Sequence, residues 1–453
     1  MKRIIWILAA LIAFTFLQAP PAAADQRLIV RTTSLPLLQN ACLLNLCKIV
    51  GSLDGTINQL FLVTVPDLLP IQLVEQALQL VPGVLDVEAD LLQRFGRGVP
   101  LLHGIPTGLF QQQPVSYYGS NVWMGYAQQP ASGIIRLGQA RTQFQKTGHA
   151  IVADIDTGVD FSHPALQGVL LQGYDFTRNR PGGDEMADVS GVAPNNCVTS
   201  CSSGDVNQST AAVLDQSTAA VLDQSTAAVL DQSTAAVLDS PQYAAFGHGT
   251  MVAGVIHLVA PTAMLMPLKA FHSDGTGYTS DILRGIYYAV QNHARVINMS
   301  FDFTSYSGEV ARAIAYAQNH EVTCVASAGN EGSSHIVYPA GLSRVMGVAS
   351  TNDFDQPSSF SNFGPQDVWV AAPGEDIIST YPFKTYASES GTSFSAPLVS
   401  GTVALLLDVN PKAAPFDLEL AIGHAKPLSP SMGHGRLDVY AALTYIGSIT
   451  TGW

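Results

Sequence analysis

From about Gly133 onward, uninterrupted apolar runs alternate with stretches of helical spacing, and this alternation constrains the fold more than any other feature. A strand that is apolar along its whole length offers no polar face to water, so both of its faces need to be buried. Such strands between helices predict an α/β fold with a parallel sheet covered on both sides. The runs cover residues 150–155, 262–270, 294–299, 322–327, 345–350 and 368–371.

Residues 27–95 predict a second, smaller α+β domain. Its two helices lie among strand-like segments, which indicates a βαββαβ, ferredoxin-like layout. We expect Asp67 to cap the second helix and Pro82-Gly83 to end it. The predicted strands cover residues 27–31, 57–65 and 84–90, and the predicted helices cover residues 35–47 and about 67–80.

Two segments lack the periodicity of either domain. Residues 96–132 are rich in Gly, Pro, Gln and Tyr, which predicts a linker or an arm that lies on the surface. Further along, the octapeptide Gln-Ser-Thr-Ala-Ala-Val-Leu-Asp occurs four times in direct succession over residues 208–239. A sequence period of eight residues matches neither the repeat of one helical face nor the heptad of a coiled coil. We therefore interpret the copies as an insertion at a tolerant loop, with a stacked binding array as the alternative.

The N-terminus has the three-part layout of a secretory signal peptide. Lys2 and Arg3 precede the apolar stretch Ile4–Leu17, and small residues lead to a cleavage site after Ala24. A membrane anchor is the alternative, but the stretch is short for a spanning helix, which needs about 20 residues. We expect a secreted protein, extracellular or periplasmic, without a stable membrane anchor. Its parts are the signal peptide (1–24), the α+β domain (25–97), the linker or arm (98–132) and the α/β domain (133–453).

Charge and cysteine content narrow the classes of function. A net charge of −14 disfavours binding to nucleic acid, which needs clustered Lys and Arg. The five cysteines suit an exported protein with few disulfides. Cys42 with Cys47, or Cys197 with Cys201, is close enough in sequence to form a small loop, and Cys324 is expected to be a buried free thiol. The sequence contains neither a zinc motif nor an EF-hand loop.

Three segments carry residue types suited to nucleophilic catalysis. Ser393 opens a helix-compatible run, where unpaired amides and the helix dipole stabilise a developing oxyanion. His248 lies between two glycines, which leave its ring accessible as a base. An apolar strand ends in an acidic turn at which Asp154, Asp156 and Asp160 compete to orient the histidine, and only Asp156 begins an Asp-Thr-Gly turn.

In the order Asp, His, Ser, these segments are similar to those of the subtilisin-like serine proteases, the subtilases of peptidase family S8. The resemblance covers residues 136–445 apart from the repeats. It implies a subtilisin-like three-layer α/β fold with a central, mostly parallel sheet, preceded by a propeptide that the small α+β domain forms. The supporting segments are Asp156 to Pro164, Gly247 to Thr250, Ile297 to Ser300, Ala326 to Asn330, Phe360 to Gly364, Ala372 to Gly374 and Gly391 to Ser393.

The resemblance also implies residue roles. Asp156, His248 and Ser393 are expected to form the catalytic triad, and Asn330 is expected to donate to the oxyanion. The implied function is a secreted serine endopeptidase that acts on proteins or peptides and is autoprocessed from a zymogen that its own propeptide inhibits. The chemistry requires no cofactor, and a structural calcium ion would suit the exported setting. The expected substrate-binding residues are Ser300, Phe301, Asp302, Ala328 and Gly329.

The sequence departs from the family pattern at a few positions. Met251 replaces a histidine that many relatives carry, and Phe394-Ser395 replaces the more familiar Met-Ala. Asp302 stands where relatives often have glycine, so its carboxylate is expected either to obstruct a subsite or to favour basic side chains. One alternative function is a catalytically inactive, subtilase-like binding protein. Another is an esterase on an α/β-hydrolase fold, which expects Gly-x-Ser-x-Gly and the order Ser, Asp, His, both absent around Ser393.

Overall fold

The structure is a computed structural model that describes residues 26–95, 99, 103–189, 219–222, 226–229 and 241–450. The chain divides into two compact units, one ending at Leu91 and the other beginning at Leu92. The expected signal peptide, Cys197, Cys201 and most of the octapeptide repeats lie outside the described residues.

The smaller unit is a four-stranded antiparallel sheet with two helices, in agreement with the predicted α+β class. Its strand order is β2-β3-β1-β4. Alternate residues of the two central strands, such as Leu28 and Val63, are fully buried against the helices. The elements are β1 (Gln26–Thr32), α1 (Leu35–Leu44), β2 (Lys48–Ser52), β3 (Leu60–Val65), α2 (Ile71–Gln79) and β4 (Val84–Ala89).

Two details of the smaller unit differ from the sequence-based prediction. Helix α1 ends at Leu44, and the edge strand β2 that follows was not predicted because its burial does not alternate clearly. Helix α2 begins at Ile71 after Pro70, and Asp67 does not cap it. Proline disfavours helical geometry in the residue before it, so the helix cannot extend back through Pro70.

The larger unit is built on an eight-stranded sheet of order β10-β9-β13-β8-β15-β16-β17-β18. All of its pairings are parallel except the one at the β10 edge. Each of the six predicted apolar runs overlaps one strand, so the predicted parallel sheet is confirmed. The strands are β8 (Ile151–Asp156), β9 (Tyr174–Asp175), β10 (Arg180–Pro181), β13 (Met264–Lys269), β15 (Val296–Met299), β16 (Thr323–Ser327), β17 (Val345–Thr351) and β18 (Val370–Pro373).

Helices cover both faces of this sheet and complete the three-layer fold. On one face of the sheet, Val152 of β8 packs in a hydrophobic cluster with residues of two buried helices. On the opposite face, Ile155 of the same strand lies close to Gly285 of a third helix. The principal helices are α5 (Leu137–Phe144), α6 (His248–Val259), α7 (Thr279–Gln291), α8 (Gly308–Asn319), α9 (Thr392–Val409), α10 (Pro415–Ile422) and α11 (Val439–Thr450). Helix α9 is long and apolar enough to cross a membrane, but 89% of it is buried inside the protein, as in the core helix of a soluble fold.

The region predicted as a linker or arm carries short elements of its own. A hairpin of β6 (Pro114–Tyr117) and β7 (Ser120–Trp123) is followed by the short helices α3 (Met124–Ala127) and α4 (Pro130–Ile134). These elements pack against α6, where the Tyr117 hydroxyl donates to the Leu258 carbonyl at 2.5 Å and the Tyr126 hydroxyl to the Gly254 carbonyl at 2.7 Å. Four-residue elements are too short to produce a visible period, so the sequence pattern did not show them.

The described part of the octapeptide repeats forms two short strands. β11 (Ala219–Leu222) and β12 (Thr226–Val229) make an antiparallel hairpin. β12 in turn pairs with β20 (Thr385–Glu389), which forms a second hairpin with β19 (Ile377–Tyr381). The described part of the repeats therefore extends the sheet of β19 and β20, which is separate from the central one.

Candidate active site

The candidate site lies where neighbouring parallel strands end. β8, β15 and β16 are adjacent and parallel, so their carboxyl ends lie at the same edge of the sheet. Asp156 is the last residue of β8, Ser300 follows β15, and Asn330 lies three residues after β16. The sheet thus brings together side chains that are distant in sequence.

Asp156 and His248 form a buried ion pair at this edge. His248 is the first residue of α6, and its Nδ1 lies 2.8 and 2.9 Å from the two carboxylate oxygens of Asp156. The competing carboxylates have other partners. Asp154 accepts a hydrogen bond from Asn298, and Asp160 accepts hydrogen bonds from Ser162. The geometry therefore selects Asp156 from the three candidates.

Ser393 is the second residue of α9 and lines the same cavity as His248 and Asn330. Its hydroxyl donates to the Ser300 carbonyl at 3.0 Å, so this hydrogen bond has to be released before the proton can pass to His248. The Ser300 hydroxyl donates in return to the Ser393 carbonyl at 2.8 Å. These two hydrogen bonds fix the start of α9 against the end of β15.

The orientation of the Asn330 amide follows from its partners. The carbonyl oxygen Oδ1 accepts hydrogen bonds from the backbone N–H and the hydroxyl of Thr392, each at 2.9 Å. A backbone N–H can only donate, so this contact identifies the oxygen side of the amide. The Nδ2 group of Asn330 is thereby left to donate within the cavity that Ser393 lines.

The environment of His248 favours its protonated form. Burial by itself lowers the pKa of an imidazole, but the charge and hydrogen bond of Asp156 outweigh this effect. Glu389 and Asp154 act in the same direction, and the pKa of His248 is raised to about 9. Glu389, on β20, also lines the cavity.

None of the five residues expected to bind substrate lines this cavity, although Ser300 contacts Ser393 and Gly329 directly precedes Asn330. Ser300 and Phe301 are buried, and the Phe301 ring packs 4.8 Å from that of Phe271. Asp302 is half-buried, and burial, followed by repulsion from Glu331, raises its pKa to about 7. Ala328 is fully buried, and the Gly329 N–H donates to the Thr392 hydroxyl at 3.2 Å.

Gly329 has a backbone conformation that favours glycine. Its φ is +96°, and a Cβ at this position would lie 2.4 Å from Nδ2 of Asn362. The turn that leads to Asn330 therefore needs glycine at this position.

The edge strand β14 (Thr276–Tyr278) is a feature that the sequence-based reasoning missed. The segment β5 (Leu92–Arg94) pairs with it in antiparallel fashion, and the Phe95 N–H donates to the Gly275 carbonyl at 3.3 Å. The Phe95 ring lies 5.0 Å from the His248 ring and lines the cavity with Ser393. An extended peptide thus reaches the candidate site along β14, and the Gly-Thr-Gly turn was the only sequence signal for it.

Within the residues that the structure describes, no group of three or more His, Cys, Asp or Glu side chains is arranged to hold a metal ion. Cys324 is a buried free thiol, as predicted, and Cys42 and Cys47 are also free.

Comparison with known proteins identifies the family of the chain. The model of the subtilase family matches residues 148–436. Thermitase of Thermoactinomyces vulgaris is 32% identical over 300 residues, which cover 65% of this chain and 89% of thermitase. A thermophilic serine proteinase of Bacillus sp. (strain AK1) is 31% identical over 65% of this chain and 61% of its own length, so the chain spans less than two thirds of that relative.

A solved structure is similar over almost the whole chain. The crystal structure of fervidolysin from Fervidobacterium pennivorans, described as a keratinolytic enzyme related to subtilisin, superposes with a TM-score of 0.67. The match covers 94% of this chain and 62% of fervidolysin, at 21% sequence identity. At this identity the likeness shows the fold alone.

Proposed function

Since the chain belongs to the subtilase family and is thereby a serine-type endopeptidase, we propose that it hydrolyses peptide bonds with Asp156, His248 and Ser393 as its catalytic triad. The observation that carries this proposal is the buried contact between His248 Nδ1 and both oxygens of Asp156, at 2.8 and 2.9 Å, beside a cavity that Ser393 lines.

The proposed chemistry is acyl transfer. His248 takes the hydroxyl proton of Ser393 as Oγ attacks the carbonyl carbon of the scissile peptide. The carboxylate of Asp156 holds the histidine tautomer with its Nε2 free for this proton and stabilises the imidazolium that results. The imidazolium then protonates the leaving amine, and water activated by His248 hydrolyses the acyl-enzyme and returns the proton to Ser393.

The negative oxygen of the tetrahedral intermediate needs donors in fixed positions. We assign this role to Nδ2 of Asn330 and to the backbone N–H of Ser393. The support for the assignment is the orientation of the Asn330 amide, whose other end is fixed by the two hydrogen bonds from Thr392. The N-terminal end of α9 adds a favourable dipole at the same point.

The proposal predicts covalent labelling by a fluorophosphonate probe, which reacts with an activated serine. We expect stoichiometric labelling of the purified mature protein at Ser393 and none in Ser393→Ala, measured by intact mass and peptide mapping. A subtilase-like binding protein without activity would remain unlabelled in its wild-type form. Ser395→Ala is a suitable control, because this buried serine lies two residues further along α9 and donates to the Ala372 carbonyl instead.

The proposal also predicts activity at alkaline pH. His248 acts as a base only when neutral, so kcat/KM should rise as the pH passes through its pKa of about 9, well above an ordinary imidazole. Glu389→Gln removes a negative charge that favours the imidazolium and should shift this rise to lower pH by roughly half a unit. The measurement is kcat/KM on a peptide substrate from pH 6 to 11. Glu321→Gln is the control, because Glu321 precedes β16, whereas the candidate site lies at the carboxyl end of this strand. An unchanged profile in Glu389→Gln would contradict the electrostatic account.

We further propose that residues 25 to about 97 are a propeptide that the enzyme removes from itself. The support is the course of Leu92–Phe95, which lies along β14 as an extended strand and brings Phe95 beside His248. A strand paired in this way resembles a bound substrate, and the bond to be cut follows shortly after Phe95.

We also propose secretion, on the sequence of the first 24 residues. The substrates would then be proteins or peptides outside the cytoplasm. Because cysteines are few, the fold depends on its buried sheet for stability rather than on disulfides.

A further inference from the structure

We propose that Glu185 is a positioning residue that holds the loop after Asp156 and the start of the His248 helix in one arrangement. This role goes beyond the triad but rests on the endopeptidase function proposed above. Glu185 begins a short 3-10 turn (Glu185–Asp188) and is fully buried. It does not line the cavity that contains Ser393, so it acts through its neighbours.

The carboxylate of Glu185 bonds to residues on both sides of the Asp156–His248 contact. Its Oε2 accepts hydrogen bonds from the Gly247 N–H at 2.9 Å and from the Thr157 hydroxyl at 3.2 Å. Its Oε1 accepts a hydrogen bond from the Thr250 hydroxyl. Gly247 and Thr250 flank His248, and Thr157 directly follows Asp156, so one side chain joins the two halves of the ion pair.

Thr157 completes the connection. Its hydroxyl oxygen accepts a hydrogen bond from the Gly249 N–H at 3.0 Å while its proton goes to Glu185. The backbone amides on both sides of His248 are therefore bound, one by Glu185 directly and one through Thr157. These amides belong to the first turn of α6, where helical N–H groups have no partner within the helix.

A carboxylate suits this position for an electrostatic reason. The unpaired amides and the dipole of α6 favour a negative charge at the N-terminus of the helix. Burial raises the pKa of Glu185 to about 8, although the Thr250 hydrogen bond, the charge of Lys269 and the Gly247 amide favour the ionised form, so the carboxylate is present at the alkaline pH at which His248 is neutral. A buried charge persists only when it has such partners.

The turn that carries Glu185 is itself anchored at both ends. Before it, the Gly183 carbonyl accepts a hydrogen bond from the Val159 N–H at 2.8 Å. At its other end, Asp188 forms a buried ion pair with Lys269 at 2.8 Å, and Lys269 Nζ also donates to the Thr157 carbonyl at 2.6 Å. Glu185 is therefore held in place by its own turn. The loop after Asp156 and the start of α6 are aligned against it.

The test normalises kcat to the number of titrated active sites, so that a loss of positioning is distinguished from a loss of folded enzyme. Glu185→Gln keeps the shape of the side chain, but its amide nitrogen cannot accept the hydrogen bonds that one carboxylate oxygen accepts. We expect kcat per active site, titrated with a fluorophosphonate, to fall about tenfold with KM within about twofold, because small displacements of reacting groups cost this much. Thr157→Val, which removes the Gly249 and Glu185 contacts without changing side-chain volume, should lower kcat in the same way.

Asp438→Asn is the matched control. Asp438 is also a buried carboxylate at a helix N-terminus, where it accepts hydrogen bonds from the Ala441 N–H and from Arg136, but it belongs to α11. We expect this variant to unfold at lower temperature with an unchanged kcat per titrated site. If both Glu185→Gln and Thr157→Val keep the wild-type kcat per titrated site, Glu185 is only structural and the proposal is wrong. A wild-type protein that the probe does not label would instead overturn the endopeptidase mechanism.

Discussion

Replacing Ser393 with alanine is expected to lower kcat by about 10⁶-fold, which is the loss seen when the nucleophile of a subtilisin triad is removed. The reason is that the alanine side chain has no oxygen to form the acyl-enzyme, so both chemical steps lose their covalent route. Folding should be unaffected, because the hydroxyl has a single hydrogen bond, to the Ser300 carbonyl. The measurement is the initial rate on a peptide substrate, with the precursor cleaved beforehand by an added protease.

The side chains of the proposed triad are expected to act as a unit, and this gives the prediction a second part. His248→Ala should cost nearly as much as Ser393→Ala, and the double variant should be no slower than either single variant. Residual activity of about 10³-fold over water is expected in each, because the oxyanion donors remain. Additive losses in the double variant would mean that the two side chains work independently, and substantial turnover in Ser393→Ala would refute the nucleophile assignment.

Six of the eight strands of the central sheet were predictable because each of the six is buried on both faces. Val152 and Ile155 lie on opposite faces of the same strand and pack against different helical layers. Because neither face contacts water, polar residues are disfavoured on both, and the sequence shows an apolar run. The short elements between residues 103 and 134 lack this signature. Their position depends on tyrosine hydroxyls that reach carbonyls of α6, which is a tertiary contact without a local pattern.

The site was predictable only in part. The choice of Asp156 over Asp154 and Asp160 rested on a turn motif, whereas in the structure it is supported by the contact of Asp156 with His248. Glu185 belongs to no motif, and the inserted repeats separate it from Gly247, its partner 62 positions later. Burial, followed by repulsion from Glu331, raises the pKa of Asp302 to about 7, so its carboxyl changes charge near neutral pH, which no pattern in the sequence indicates.

Autoproteolysis predicts an all-or-none difference in the protein that is recovered after expression. Wild type should be isolated without residues 25 to about 97, whereas Ser393→Ala should accumulate with them attached, as measured by intact mass and N-terminal analysis. The physical reason is the position of the segment. The backbone of Leu92–Arg94 is paired with β14, and Phe95 lies 5.0 Å from the His248 ring, so the bond after this segment has a high effective concentration at the nucleophile.

The order of the reaction can be tested with refolded precursor. Cleavage within one molecule proceeds at a rate that does not depend on protein concentration, whereas cleavage by a neighbouring molecule accelerates in proportion to it. We expect a constant rate over a hundredfold range of dilution. Phe95→Pro provides a control, because it removes the N–H that donates to the Gly275 carbonyl and should slow the cut without changing the triad. Normal maturation of Ser393→Ala in purified cell-free translation, where no other protease is present, would show that an outside enzyme or a different residue makes the cut.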